Sequence, residues 1–359
     1  MNNSSPRFEL LDHWRGVAAL AVLLFHTSYP WLIQPAPPGF AWVSCLVAEG
    51  WRGVHLFFVI SGYCIAQLAC REFAARRSVF AFLRNRMLRI FPCYWSACVL
   101  TVVIGLTSLP FNNAALFSTV ETPGVLPSSL RAVFAHFLLL EPLLGKPSFL
   151  LVAWTLTWEV IFYLFAGGLV LVAILFGQRS AVTLGLCLAF VGAIPTAAHN
   201  FPPLGGWSEF SCGACLYGAI LAKEESRSPA IWIGLICSFG VAGLFLGGTQ
   251  LPFAAAFSLL LLALHGHDHI LAEHRAGKWL AACGVVSYSL YLIHVPIVTA
   301  SRGLLRRIIP PESAWFALVI VAAMSGAVLA GFLFYRVAEA PFERWRRSLE
   351  RRTSEFGRI

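Results

Sequence analysis

Long apolar runs, broken at intervals by glycines, prolines and short basic clusters, set the pattern of this chain. Crossing about 30 Å of hydrocarbon takes about 20 residues of helix. Ten runs qualify: residues 10–28, 51–70, 90–109, 149–176, 180–198, 208–222, 230–248, 251–266, 279–301 and 314–337. Two are marginal. Residues 208–222 form a short run that holds Glu209, and 251–266 is divided from its predecessor only by Gly247, Gly248, Thr249 and Gln250. The stretch 131–145, interrupted by Arg131, His136 and Glu141, predicts a short interfacial helix instead of a span. The extended hydrophilic stretches are a 70–89 loop, a 110–148 loop and the basic tail after Arg336.

The pattern predicts an all-α membrane protein of about ten transmembrane helices. Composition agrees: 58% of the 359 residues are hydrophobic and 12% charged, where a soluble domain carries about 25% charged residues. Basic residues gather in cytoplasmic loops, which fixes the orientation. With the N-terminus inside, the inner segments hold Arg7; Arg71, Arg76, Arg77, Arg84, Arg86 and Arg89; Arg179; Lys223 and Arg227; Arg275 and Lys278; and Arg336 with the basic residues after it. Outside fall Arg52, Arg131, Lys146, Arg302, Arg306 and Arg307. Both termini are therefore expected in the cytoplasm, with the chain in the cell (inner, cytoplasmic) membrane. The expected organisation is one membrane domain over 1–345 and a basic cytoplasmic tail over 346–359. The net charge of +9 follows this topology, so nucleic acid is not an expected partner. Arg15 interrupts the first run and no small-residue cleavage site follows, so that run reads as an uncleaved helix and not a signal peptide. Most of the ten cysteines lie within apolar runs, and Cys212-x-x-Cys215 lacks a second pair, so no metal site is expected.

A titratable side chain within a span costs about 2.5–3.5 kcal/mol at the helix centre, and each is a functional candidate by default. The candidates are Asp12, Arg15 and His26 in the first run, His55 and Ser61 in the second, Trp158 and Glu159 in the fourth, and Tyr288, Tyr291 and His294 in the ninth. Arg15 and His26 stand three helical turns apart, on one face and separated by about 16 Å along the axis. With the N-terminus inside, Arg15 lies toward the cytoplasm. His26, His55 and His294 lie in the outer half and Glu159 near the middle, a set that describes a polar channel. Packing alone is the rival reading, since polar side chains also bond helices to one another.

These residues also resemble a known family. Leu11-Asp12-x-x-Arg15-Gly16-x-Ala18-Ala19 through His26 is similar to the Arg-x10-His signature of the acyltransferase 3 family of membrane acyltransferases. Phe57-Phe58-Val59-Ile60-Ser61-Gly62-Tyr63 resembles its second-helix motif. Arg84-x-Arg86-x-x-Arg89-Ile90-x-Pro92-x-Tyr94-Trp95 resembles its basic loop leading into the third helix, and Trp154-x-Leu156-x-x-Glu159-x-x-Phe162-Tyr163 its fourth-helix motif. Ser287-Tyr288-Ser289-Leu290-Tyr291-Leu292-x-His294-x-Pro296 and Glu339-x-Pro341 complete the set. The resemblance spans residues 8 to about 345. It implies transfer of acyl groups, commonly acetyl from acetyl-coenzyme A, onto hydroxyls of cell-surface polysaccharide, lipopolysaccharide, glycolipid or macrolide. Some members carry an appended SGNH-type domain, which is not expected in these residues.

On that resemblance, His26 is the candidate base for the acceptor hydroxyl, with direct transfer and an acyl-histidine intermediate both open. Glu159 and His294 complete the catalytic set. Arg15, Arg84, Arg86 and Arg89 are candidates for the phosphates of an acyl-coenzyme A donor, which is a substrate and not a permanently bound cofactor. His55, Ser61, Trp158, Tyr288 and Tyr291 are candidates for contacting the acceptor. Two other classes fit parts of the pattern: a secondary transporter or proton-coupled permease, and a non-catalytic scaffold in an envelope-assembly complex.

Overall fold

A computed structural model describes residues 8, 10–33, 37, 39–75, 78–108, 129–146, 148–194, 206–267, 270, 274–305 and 308–356. Among these, every regular element is helical. The main helices are α1 (Leu10–Thr27), α2 (Gly53–Ala74), α3 (Val79–Ser108), α4 (Leu130–Phe137), α5 (Trp154–Phe176), α6 (Gln178–Ala193), α7 (Trp207–Glu224), α8 (Ala230–Phe245), α9 (Gln250–Leu264), α10 (Arg275–Val285), α11 (Ser287–Leu305), α12 (Phe316–Phe334) and α13 (Ala340–Phe356). Of the 110–148 loop, residues 110–128 and 147 lie outside the described residues.

Among the described residues, five helical stretches are long and apolar enough to cross a membrane: Ala41–Ala74, Val79–Leu106, Leu151–Phe176, Gln250–His267 and Phe316–Leu349. A sixth is reached if the bent pair Gly277–Val285 and Ser287–Arg302 is one span. The sequence predicts ten spans; helices stand at those positions, but α1 and α7 are not among the five, and α6 and α8 are shorter apolar helices, each about 24 Å long at 1.5 Å per residue. The predicted run continues past α6 over five residues, 194–198, of which 195–198 fall outside the described residues.

Two boundaries differ from the sequence reading. The 70–89 stretch is largely not a loop: α3 starts at Val79 and carries Arg84, Arg86 and Arg89 on one continuous helix. Arginine, leucine and methionine are good helix formers and no glycine or proline interrupts 79–91, so the helix outlasts the apolar run. The 279–301 run is interrupted at Val286, between α10 and α11. The stretch 131–145 is, as expected, a short helix, α4, which ends in a left-handed residue at Leu139 (φ 57°).

The helices form two compact units. The first comprises Met1–Ala18, Val54–Arg86 and Trp158–Ala282, and the second Ala19–Gly53, Met87–Thr157 and Cys283–Ile359. At the centre of the first unit is α7, buried along nearly its whole length. This explains its modest hydropathy: a helix that faces protein on all sides can carry Glu209, because its neighbours supply a partner. It crosses α2 at two glycines. A Cβ on Gly62 would stand 1.9 Å from the Phe210 carbonyl oxygen, and one on Gly213 1.9 Å from that of Val59. The crossing is locked by Phe58 against Phe210 (4.7 Å) and by Phe162 stacked on Phe210 (4.2 Å). Backbone cannot yield as a side-chain tip can, so Gly213→Ala is expected to destabilise the protein by about 1–3 kcal/mol. The thermal midpoint of detergent-purified protein measures this, and an unchanged midpoint would refute the close crossing.

In the second unit α11 packs on α12, where Gly331 lets the helices approach: its Cβ would meet Leu290 at 3.1 Å. Trp31, Phe316, Val319 and Ile320 form a buried cluster, and the Trp31 indole donates to the Pro311 carbonyl (3.0 Å). A π-helical turn, Tyr335–Glu339, joins α12 to α13 immediately before Pro341. Proline has no N–H for the helical ladder, and the widened turn accommodates the loss. The same turn brings Glu339 to the Ser289 hydroxyl at 2.5 Å.

Candidate active site

Within the second unit, two imidazoles meet. His26 occupies the last turn of α1 and His294 the middle of α11. Their ring centroids are 5.1 Å apart and the planes tilt by 51°. His294 is 1% exposed. Its Nδ1 faces the carbonyls of Tyr291 (2.8 Å) and Leu290 (3.3 Å). Carbonyls only accept, so Nδ1 is the protonated nitrogen and Nε2 carries the lone pair. That Nε2 is buried without a hydrogen-bond partner. The His26 ring packs edge-on against Phe25 (5.1 Å) and touches His294, and no described side chain hydrogen-bonds it. A packing role would have placed these nitrogens on backbone or hydroxyl groups. One His294 nitrogen is tied in that way, and the His26 ring is left open.

Arg302, two turns beyond His294 on α11, donates from Nη1 to the His26 carbonyl oxygen (2.9 Å). Helical side chains lean toward the N-terminus of their helix, which turns this arginine back toward the histidines. The two tyrosines on α11 are held by protein. Tyr288 donates to the Ile90 carbonyl (2.8 Å), and Tyr291 shares a 2.9 Å hydrogen bond with the Thr155 hydroxyl. Both hydroxyls brace α11, against α3 and against the segment leading into α5.

The remaining sequence candidates fall mostly in the first unit, in three small networks. Arg15 contacts Asp12 (3.2 Å) and the Cys64 sulfur (3.4 Å). Glu159 accepts from Ser61 (3.4 Å) and from the Tyr163 hydroxyl, with Trp158 half-buried beside it in sequence. His55 Nδ1 lies 2.6 Å from Glu209, both buried. On α3, Arg84, Arg86 and Arg89 are all half-buried. The Nε of Arg84 is buried without a hydrogen-bond partner, whereas Arg89, in the second unit, lies within electrostatic range of Glu339 and Glu343.

Four groups escaped the sequence reading. Glu209 sits in a marginal apolar run, and its pairing with His55, 154 residues away, has no local signature. Arg302 follows the ninth apolar run, so its spacing predicts only an outer turn. His13, beside Asp12, has both ring nitrogens buried without hydrogen-bond partners. His136 and Glu141 interrupt the apolar pattern, and in the structure they form a 2.5 Å pair around a fully buried carboxylate. Tyr94, Trp95 and Thr157 hold the carbonyls of His136, Phe137 and Leu139 around that pair.

Residues 8–336 match the acyltransferase 3 family, described as an acyltransferase domain. The chain belongs to the acyltransferase 3 family. Two relatives are similar over most of its length. The exopolysaccharide production protein ExoZ of Rhizobium meliloti (strain 1021) is 30% identical over 314 residues, covering 82% of this chain and 90% of ExoZ. The peptidoglycan O-acetyltransferase OatA of Listeria monocytogenes serovar 1/2a (strain ATCC BAA-679 / EGD-e) is 24% identical over 368 residues, covering 93% of this chain and 55% of OatA. No solved structure matches. Membership in the acyltransferase 3 family makes the chain an enzyme, an acyltransferase with several apolar helices of membrane-spanning character, and sets aside the permease and scaffold readings. The acyltransferase 3 match covers α1 through α12, so it takes in both units and both histidines.

Proposed function

We propose that this acyltransferase moves an acyl group, acetyl in the first instance, from acyl-coenzyme A to a hydroxyl of a carbohydrate at the cell surface. The observation that carries this reading is the His26–His294 pair, with a tautomer-fixed acceptor nitrogen on one ring and an open ring on the other. His26 removes the proton from the acceptor hydroxyl, and the resulting oxygen nucleophile attacks the acyl carbonyl carbon. The carbon–sulfur bond breaks, and the coenzyme A thiolate leaves with the proton returned from His26. His294, whose Nε2 can only accept, stabilises the protonated His26 ring. The names of ExoZ and OatA, an exopolysaccharide production protein and a peptidoglycan O-acetyltransferase, support a polysaccharide or peptidoglycan-like acceptor.

The donor phosphates are assigned to Arg15, Arg84 and Arg86. The half-buried guanidinium of Arg84, with an unpartnered Nε, suits a multiply charged ligand. Arg89, near two carboxylates, is the weakest of the four donor candidates. The topology that goes with this reading has about ten spans in the inner membrane, both termini and the basic residues of α3 cytoplasmic, and His26 toward the outer leaflet. The domain division stays at 1–345 with a basic tail over 346–359. Double substitution Arg84→Gln/Arg86→Gln is expected to weaken acetyl-coenzyme A binding to the purified protein by about 10–100-fold, from about 1.5–3 kcal/mol of charge-assisted hydrogen bonding. Isothermal titration reads this directly, and unaltered affinity would remove these arginines from the donor site. Mass spectrometry of envelope polysaccharide from cells with and without the gene tests the whole reading. Loss of an ester-linked acyl group is expected, and an unchanged profile would overturn it.

A further inference from the structure

Besides the two meeting imidazoles, the second unit holds a buried titratable couple that the mechanism above leaves unused. Glu141 is fully buried, with Oε1 2.5 Å from His136 Nδ1 and Oε2 without a hydrogen-bond partner. A carboxylate accepts, so Nδ1 carries the proton and Nε2 the lone pair. Among the described residues nothing hydrogen-bonds that Nε2, and the His136 side chain keeps 16% of its surface exposed. An ion pair taken out of water gains little over apolar side chains of the same volume, yet the fold holds this one from several sides. Tyr94 and Trp95 of α3 donate to the carbonyls of His136 and Phe137, and Thr157 of α5 to that of Leu139. Leu139 is itself left-handed at φ 57°, a conformation that persists for such a residue only where its surroundings impose it. Two residues before Thr157, Thr155 bonds Tyr291 (2.9 Å), whose ring lies 5.8 Å from that of His294. One short stretch of chain therefore braces both the His136 loop and the helix of His294.

A carbohydrate acceptor brings several hydroxyls, of which His26 takes the reacting one. The others need partners, and a site built to bond a hydroxyl discriminates strongly against a ligand that lacks it. Resting on the acyltransfer reading, we infer that His136 and Glu141 form an acceptor subsite: His136 Nε2 accepts a hydrogen bond from a non-reacting hydroxyl of the carbohydrate, and the Glu141 carboxylate orients the ring through Nδ1–H. In the topology proposed above, the loop that carries this pair and the His26 end of α1 both lie on the outer side, where the acceptor arrives. The subsite binds and transfers no proton, and it selects saccharides that keep a second hydroxyl unsubstituted.

Two variants separate this role from a brace for the loop. Transfer of labelled acetyl from acetyl-coenzyme A to envelope polysaccharide from cells lacking the gene is followed in membranes, with each substrate varied in turn. The thermal midpoint of each purified variant is measured alongside. His136→Ala is expected to raise the acceptor KM by about 10–100-fold, the loss of one hydrogen bond strengthened by a charge, with the donor KM within about threefold of wild type. That variant leaves Glu141 buried and unpaired, so the double substitution His136→Phe/Glu141→Leu replaces the pair with apolar side chains and is expected to restore the midpoint. Its acceptor KM should stay as high as that of His136→Ala. A wild-type acceptor KM in either variant, equal rises in both KM values, or a raised acceptor KM that appears only where the midpoint falls would each overturn the subsite. Absence of acetyl transfer by the wild-type protein would instead overturn the acyltransfer reading, so the two failures are distinguishable.

Discussion

His26→Ala is expected to reduce acyl transfer by about 10²–10⁴-fold while the protein still inserts and accumulates. General base catalysis contributes about 10²–10⁴-fold in enzymes. The substitution should be mild for the fold. The His26 ring is half-buried and has no side-chain hydrogen bond among the described residues, so truncation leaves no described partner unsatisfied. Quantifying ester-linked acetyl on envelope polysaccharide, with immunoblotting of the membrane fraction, checks both halves. Acetylation by an inserted His26→Ala protein within about tenfold of wild type would sink the assignment.

His294→Ala is expected to lower turnover by about 10³-fold with little change in donor affinity. His294 is buried, its Nδ1–H is committed to the turn of α11 that contains it, and its Nε2 faces no described hydrogen-bond partner. A ring held by its own helix is preorganised: it can accept a hydrogen bond from a neighbour without first reorienting, which is the arrangement seen when one residue steers a base. His294→Gln separates chemistry from packing, because its amide oxygen can accept where Nε2 did. Recovery of at least about a tenth of wild-type kcat in the glutamine variant, beside near-complete loss in the alanine variant, supports acceptance at Nε2. If Gln and Ala are equally inactive and both fold, His294 acts through something other than an acceptor atom.

Much of this was legible in one dimension. An all-helical chain with apolar helices follows from run length and composition, because a bilayer span needs uninterrupted apolar side chains and the backbone must satisfy its own hydrogen bonds. The motif order from Asp12 to Pro341 carried the family, which the match over residues 8–336 shows. Helix ends were less legible. Apolarity stops at the membrane surface but a helix does not, so α3 runs back to Val79 through its arginines, while the 279–301 run is broken at Val286.

The α1 candidates Asp12, Arg15 and His26 are legible in sequence because misplaced polar residues are rare within apolar runs. What each one touches was not. Spacing along one helix gives depth and face, but a partner on another helix depends on how helices cross, and that is set by packing at positions such as Gly62 and Gly213. Pairings such as His55 with Glu209 and His26 with His294 therefore belong to the tertiary structure alone. The same holds for Arg302, which in sequence follows an apolar run and in space holds the carbonyl of His26. By itself the sequence determined that this chain is built from apolar helices carrying the acyltransferase 3 motifs. Only the folded chain decided which imidazole keeps an open nitrogen, because a tautomer is set by the carbonyls around a ring and no residue spacing records them.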